Sequence, residues 1–281
     1  MQAPIREEAA RAGLTIGAAR AWPLEHPVDR AKLQAHLWEE GYFVAPPSIP
    51  AVLVERCCAA IELVRARGAP PLAAFACDAP WELSELLADH ASAALDGDAR
   101  LVPAFWAWRL DQHSEARGWA PHRDHPERDV DDRGAPDSLT LWVALTDATP
   151  DNGCVYVVPA PLDPHYRDPA APPAAPHLQS IRAVPAPAGS VLGWTSKLLH
   201  WSGLADAHAP PRISLSFAFQ AANRPLFDGA SYPLGWIPSL AERRTLISQQ
   251  WHRHAHRHAS APAREAALLR VTDDLLTPTG A

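Results

Sequence analysis

A chain of 281 residues with 20% charged side chains, 47% hydrophobic ones and a net charge of −7 has the make-up of an ordinary globular protein. No basic stripe interleaved with aromatics runs through it, as a phosphate backbone would require, and no apolar run approaches the roughly 18 residues of a membrane span, so nucleic-acid and membrane partners are not expected. The acidic start "MQAPIREEAARAGL" lacks the basic region and apolar core of a secretion signal, and Cys57, Cys58, Cys77 and Cys154 show no C-x-x-C spacing, which together predict reduced thiols in a cytoplasmic protein.

Helical spacing of Leu33, His36, Leu37 and Tyr42 predicts a first helix over about 29–41. "AVLVERCCAAIELVRARG" predicts a second over 51–68, stopped by Gly68 and Pro70, and 79–95 reads as a third. The pattern then changes. Residues 101–110, 138–146, 154–159, 190–194 and 213–220 are short, aromatic and β-branched runs parted by Gly, Pro, Asn or Asp, which is the signature of strands. The last of them alternates: Ile213, Leu215, Phe217 and Phe219 face one way, Arg212, Ser214, Ser216 and Ala218 the other. The first face suits a core, and the second suits a pocket lining with one arginine. Between the strands, "PAPLDPHYRDPAAPPAAPH" (159–177) is too long and proline-rich for a tight turn and reads as a lid or mobile loop. Helical character returns from Ser239.

Helices followed by consecutive strands predict a mainly β fold with helical flanks, a sandwich or jelly roll. The expected organisation is a single domain over 1–281, with a helical flank to about 100, a β core over about 101–222 and a helical tail from about 223.

Within the core lies "GWAPHRDHPERD" (118–129). A His-x-acid pair on extended chain points both side chains the same way, enough for two ligands of a two-histidine, one-carboxylate iron site. Alone the pair is weak. With 14 histidines and 32 acids, about one or two pairs arise by chance, and this chain has three: His113/Glu115, His122/Asp124 and His125/Glu127. Context separates them. His122 follows the apolar "GWAP" and precedes a strand, and downstream "AGSVLGWTSKLLHWSG" places His200 after a glycine turn and a short strand. Twelve residues on, Arg212 opens the alternating strand on its polar side, where a guanidinium can take a carboxylate through two parallel hydrogen bonds. His122, Asp124, His200 and Arg212 thus form a coherent set of three metal ligands and one anion anchor.

In "HRD", "LWVALTDATPDNGCVYVVP", "AGSVLGWTSKLLHWSG" and "PPRISLSFAF", in order and spacing, the chain resembles the phytanoyl-CoA dioxygenase family of Fe(II)/2-oxoglutarate oxygenases, and "LWEEGYFVAP" resembles that family's N-terminal segment. The resemblance implies a double-stranded β-helix core, iron held by His122, Asp124 and His200, and Arg212 on the distal carboxylate of 2-oxoglutarate. Ser202 would assist and Trp142 would flank the co-substrate. Independently of the resemblance, Trp142 shares a strand face with the small Thr140 and Ala144, opposite Leu139, Leu141, Val143 and Leu145, as a pocket wall would; Ser214 shares the Arg212 face. The chemistry implied is Fe(II)- and 2-oxoglutarate-dependent hydroxylation of an unactivated C–H bond by O2, with release of succinate and CO2. Asp124 favours hydroxylation over halogenation, because a halide needs the carboxylate's place, while desaturation and ring formation remain open to the same site.

Two departures from the family pattern stand out. A Gly-Ser-His turn usually follows "VVP", where this chain has "PAPLDPHY", and an upstream glutamine or lysine that touches 2-oxoglutarate has no obvious counterpart among Trp106, Trp108, Arg109 and Gln112. Blander readings apply elsewhere: residues 125–132 read as a solvated loop at the rim of the site, and "WHRHAHRHAS" (251–260) as a solvated helix rather than a second metal site built on His252 and His256. Rival functions are a non-catalytic jelly-roll binding protein and a cupin-like enzyme using another divalent metal without 2-oxoglutarate. The expected substrate is a small, partly apolar molecule of the specialised-metabolite kind rather than a coenzyme A thioester; the oligomeric state is left open.

Overall fold

The computed structural model describes residues 4–111, 119–125, 127–128, 130–168, 176–226, 229–254 and 261–277. In chain order its elements are α1 (Ile5–Arg11), α2 (Arg30–Glu40), β1 (Tyr42–Ala45), α3 (Ala51–Ala66), α4 (Ala79–Leu86), α5 (Ala88–Ala94), β2 (Ala99–Leu110), β3 (Ser138–Ala144), β4 (Val155–Val158), β5 (Arg182–Val184), β6 (Val191–Thr195), β7 (Leu199–Ser202), β8 (Arg212–Ala221), β9 (Tyr232–Pro233), α6 (Leu240–His254) and α7 (Ala261–Leu276). All five expected strands are present with bounds moved by a residue or two. The helix expected over 79–95 is divided at Leu87 (φ −77, ψ −6) into α4 and α5. The short α1, β1, β5, β7 and β9 were not anticipated, since two to seven residues hold too little periodicity to register.

Six strands form one antiparallel sheet in the order β1-β6-β3-β8-β2-β9, and three form another in the order β5-β4-β7. On one face of the large sheet, Leu139, Leu141 and Val143 of β3 lie beside Ile213, Leu215, Phe217 and Phe219 of β8 in the main core. That face has to be covered, and helices do it. The 3-10 turn Pro71–Ala76 brings Phe75 within 4.3 Å of the Phe105 ring and 5.7 Å of the Phe217 ring, and α3, α6 and α7 pack around it. Such cover explains why "mainly β" was too strong a description: among the described residues 37% are helical and 23% lie in strands, so the protein is a mixed α/β structure with antiparallel sheets.

The opposite face carries Trp142, Ala144, Leu192 and Trp194, and the small sheet packs on it through Val155, Val157 and Val184. Helix α6 is tied to the body by a buried 2.7 Å ion pair between Arg243 and Asp78, by a bond from the Gln250 amide to the Pro103 carbonyl, and by the fully buried Trp251. These ties aim its last residues at the space between the sheets. Among the described residues no helix is long and apolar enough to cross a membrane.

Candidate metal centre

The backbone brings two histidines together. His122, on the segment before β3, and His200, in β7, each donate an N–H to the other's carbonyl at 3.0 Å, forming an isolated antiparallel bridge. Each ring then donates Nδ1–H to the carbonyl two residues behind it, His122 to Ala120 at 2.8 Å and His200 to Leu198 at 3.0 Å. A carbonyl can only accept, so the proton sits on Nδ1 and the Nε2 lone pair is left for a ligand. The Nε2 atoms stand 3.6 Å and 3.7 Å from Oδ1 of Asp124, and the donor atoms of the three residues all lie within 4.8 Å of one another.

Asp124 is oriented as firmly. Its Oδ2 accepts from the Thr140 hydroxyl at 2.7 Å and the Trp194 indole at 3.0 Å, which turns Oδ1 toward the histidines. Burial alone would raise this carboxyl's pKa; the two histidines, then the Thr140 and Trp194 hydrogen bonds, outweigh it and hold the group below its ordinary 3.8. Arg123, between the two ligands in sequence, points away. It makes a 2.7 Å ion pair with the buried Asp163 and donates to the Lys197 carbonyl. Asp163 belongs to "PAPLDPHY", and Tyr166 of the same turn hydrogen-bonds Thr195 at 2.7 Å. The expected lid is therefore, in its described first half, a brace that holds the HRD segment; 169–175 lie outside the described residues.

Arg212 is 2% exposed. Its Nη1 donates to the Gly153 carbonyl at 2.7 Å, and its guanidinium carbon lies 5.3 Å from the Trp142 ring centre. No carboxylate among the described residues pairs with it, and burial drives its pKa down to about 10. Ser202 donates to the same Gly153 carbonyl at 3.0 Å. Gly153 is required there: its φ is +81°, and a Cβ would lie 2.5 Å from the Gly203 carbonyl oxygen. His122, Asp124, His200, Arg212, Trp142 and Ser202 all line one cavity of about 240 Å³. Ser214 is buried two residues from Arg212 but does not line it.

Several lining groups escaped the sequence reading. Thr140 and Trp194 are found by asking what the second oxygen of Asp124 does; nothing local in the sequence marks Asp163 as the partner of Arg123. The end of α6 is a correction. Rather than a wholly solvated helix, it brings Arg253 and His254 to the cavity wall, with the His254 ring 4.9 Å from Trp106 and 5.6 Å from Trp119. His252 does face outward, bonded to the Ser248 carbonyl and paired with Glu265, whereas His256 lies outside the described residues. Trp106 and Trp108 line the cavity too, while Arg109 is engaged with Glu62 and Asp111; Gln112, His113 and Glu115 lie outside the described residues. Of the loop at the rim, His125 lines the cavity and pairs with Glu127, and Arg128 is tied to the buried Asp137 at 2.7 Å.

The donor set suits a divalent transition metal, with two neutral imidazoles, one carboxylate and nothing else from the chain converging on the same point among the described residues. The family model for phytanoyl-CoA dioxygenase (PhyH) matches residues 69–206. This segment belongs to the phytanoyl-CoA dioxygenase family. Enzymes of that family use Fe(II), 2-oxoglutarate and O2, and His122, Asp124 and His200 can bind the metal. The family match supports a 2-oxoglutarate-dependent non-haem iron enzyme.

Solved structures add the fold. The chain resembles the non-heme alpha ketoglutarate dependent epimerase SnoN from nogalamycin biosynthesis (21% identity over 74% of this chain and 87% of that one, TM-score 0.53). SnoN has also been solved in complex with Fe3+, alpha ketoglutarate and nogalamycin RO (19% identity, 74% and 87% covered, TM-score 0.52). This chain further resembles the carbocyclase SnoK from the same biosynthesis (18%, 78% and 93%, TM-score 0.52) and the non-heme monooxygenase ThoJ (15%, 79% and 99%, TM-score 0.58). No curated protein matches the chain in sequence.

Proposed function

We propose that this protein is an Fe(II)- and 2-oxoglutarate-dependent dioxygenase that hydroxylates an unactivated C–H bond of a small organic molecule, working as one domain on a double-stranded β-helix core. The observation that carries the reading is Arg212, a buried guanidinium without a carboxylate partner among the described residues, in the same cavity as three converging ligand atoms. A buried charge held that way is stabilised when a ligand brings the missing counter-charge.

In this reading His122, Asp124 and His200 hold iron through two Nε2 atoms and Oδ1. Arg212 pairs with the distal carboxylate of 2-oxoglutarate, and Trp142 forms the wall beside it. Ser202 positions rather than binds, since it shares the Gly153 carbonyl with Arg212 and so fixes where the guanidinium lies. Ser214 shares the Arg212 face of β8 and is the weaker candidate for this end of the site. The bound iron supplies the oxidation of 2-oxoglutarate to succinate and CO2 and the activation of O2 toward the substrate. The chain's own work is to keep both imidazoles neutral and aimed, to hold Asp124 ionised, and to exclude water with apolar and aromatic walls. A carboxylate at position 124 leaves no place for a halide ligand, which supports hydroxylation. The relatives include an epimerase and a carbocyclase, so the product has to be identified directly. Four free cysteines, three of them buried, support the cytoplasm as the place of action.

Anaerobic titration of metal-free protein with Fe(II) and 2-oxoglutarate tests the proposal. A visible charge-transfer band is expected in the wild type and in neither His200→Ala nor Arg212→Ala. No band in the wild type, with another ion or none retained on metal analysis, would overturn it.

A further inference from the structure

Resting on the iron and 2-oxoglutarate reading, we infer that the substrate half of the cavity is a tryptophan-walled trough built for a flat, neutral or anionic ring system rather than for a linear acyl chain or a cation. The sheet register sets up the trough. Ser216 of β8 is flanked across the sheet by Trp106 of β2 on one side and Trp142 of β3 on the other. With neighbouring strands about 4.8 Å apart, the two tryptophan backbones stand about 10 Å apart over a serine floor. Trp142 is the wall shared with the Arg212 end, so the floor leads from the co-substrate clamp toward Trp106.

The Trp106 side is a pavement of neighbouring rings set edge to face or tilted rather than coplanar. Trp106 lies 6.2 Å from Trp108, Trp108 4.6 Å from Trp119, and Trp119 5.6 Å from His254, which returns to Trp106 at 4.9 Å. Trp119 is also 5.2 Å from the ring of His122, so a molecule lying against the pavement is beside the metal ligands. Rigid ring walls offer stacking and edge contacts to another ring without ordering many rotors, whereas a flexible chain loses its rotor freedom on entering. The charges select as well. Among the described lining residues Asp124 is the sole acid and is turned to the metal position, so the described lining offers no further carboxylate to pair with a cationic substrate.

The test is calorimetric titration of the anaerobic protein, loaded with Fe(II) and 2-oxoglutarate, with 1-naphthol and with 1-octanol, a flexible alcohol. Naphthol is expected to bind at least about tenfold more tightly. Ser216→Phe, which fills the trough, and Trp119→Ala, which removes one ring from the pavement, are each expected to weaken naphthol about tenfold or more while the charge-transfer band persists. Octanol binding as tightly as naphthol, or naphthol binding unchanged in Trp119→Ala, would overturn the inference. Should the band itself be missing from the wild type, the iron reading fails separately, and the same titrations on metal-free protein still decide the trough.

Discussion

Arg212→Met separates two energies that the buried guanidinium combines. In the protein without co-substrate the charge is costly: burial lowers the pKa from 12.5 to about 10, worth about 3 kcal/mol against the charged form. That cost is present at every pH below about 10 and is relieved only as pH rises through that value, so it applies in full near neutrality. Opposing it are the 2.7 Å bond to the Gly153 carbonyl, about 1.5–3 kcal/mol for a charged donor, and the Trp142 ring face, about 0.5–2 kcal/mol. The two sides nearly cancel. Arg212→Met without 2-oxoglutarate should therefore unfold within about 1 kcal/mol of the wild type, a shift of roughly 2–4 °C. With co-substrate the balance changes, because the lost carboxylate clamp costs about 2–5 kcal/mol of affinity, or about 30-fold to several thousand-fold. Anaerobic thermal unfolding with Fe(II), with and without 2-oxoglutarate, reads both. At a concentration about 100 times the wild-type Kd the wild type gains about 2.7 kcal/mol and the variant less than about 0.9. A variant destabilised by more than about 3 kcal/mol that keeps the whole 2-oxoglutarate gain would show that Arg212 is a structural tie and not a co-substrate clamp.

Other consequences follow from groups behind the ligands. Thr140→Val and Trp194→Phe each remove one donor from Oδ2 of Asp124 and should weaken metal binding about 10- to 100-fold by calorimetry; unchanged affinity in both would mean that Asp124 needs no orientation. Asp163→Asn strands the charge of Arg123 and should cost about 3–5 kcal/mol in urea unfolding, and a loss below about 1 kcal/mol would show the brace to be solvated. His90, 1% exposed in α5, has its pKa driven down to about 4 by burial, so below pH 6.5 the unfolded chain takes up a proton that the folded one refuses. Stability should fall by about 1.4 kcal/mol per pH unit from 6.5, reaching about 3 kcal/mol near pH 4, and His90→Leu should flatten that slope; equal slopes in urea unfolding at pH 7, 5.5 and 4.5 would contradict it.

What was legible in the sequence was what short-range pattern encodes. The alternation of 212–219 put Arg212 and Ser216 on the cavity side and Phe217 and Phe219 in the core, and Trp142 fell on the expected face with Thr140 and Ala144. His122, Asp124 and His200 were picked out by order and spacing, and they converge. Less visible were partnerships across long sequence separations. Arg123 meets Asp163, and Trp106 meets His254, through tertiary packing that no local periodicity reports. The proline content of "PAPLDPHY" suggested looseness; its one acid and one tyrosine instead fasten it, because both are buried against polar partners. The helical share was underestimated for a related reason. Strand-like runs in the middle of a chain advertise a sheet but not the number of helices needed to cover its apolar face.

The reciprocal bridge between His122 and His200 carries a kinetic meaning. Those two hydrogen bonds join segments distant in the chain, and the long loop between them must close before they can form. Contacts of such long loop span come late in folding, after shorter-range structure has met the entropy of closing the chain. A metal that needs both imidazoles thus has little to hold in the transition state and everything to hold in the native state. It acts as a latch on the finished protein, lengthening its lifetime by slowing unfolding while leaving the rate of folding nearly unchanged.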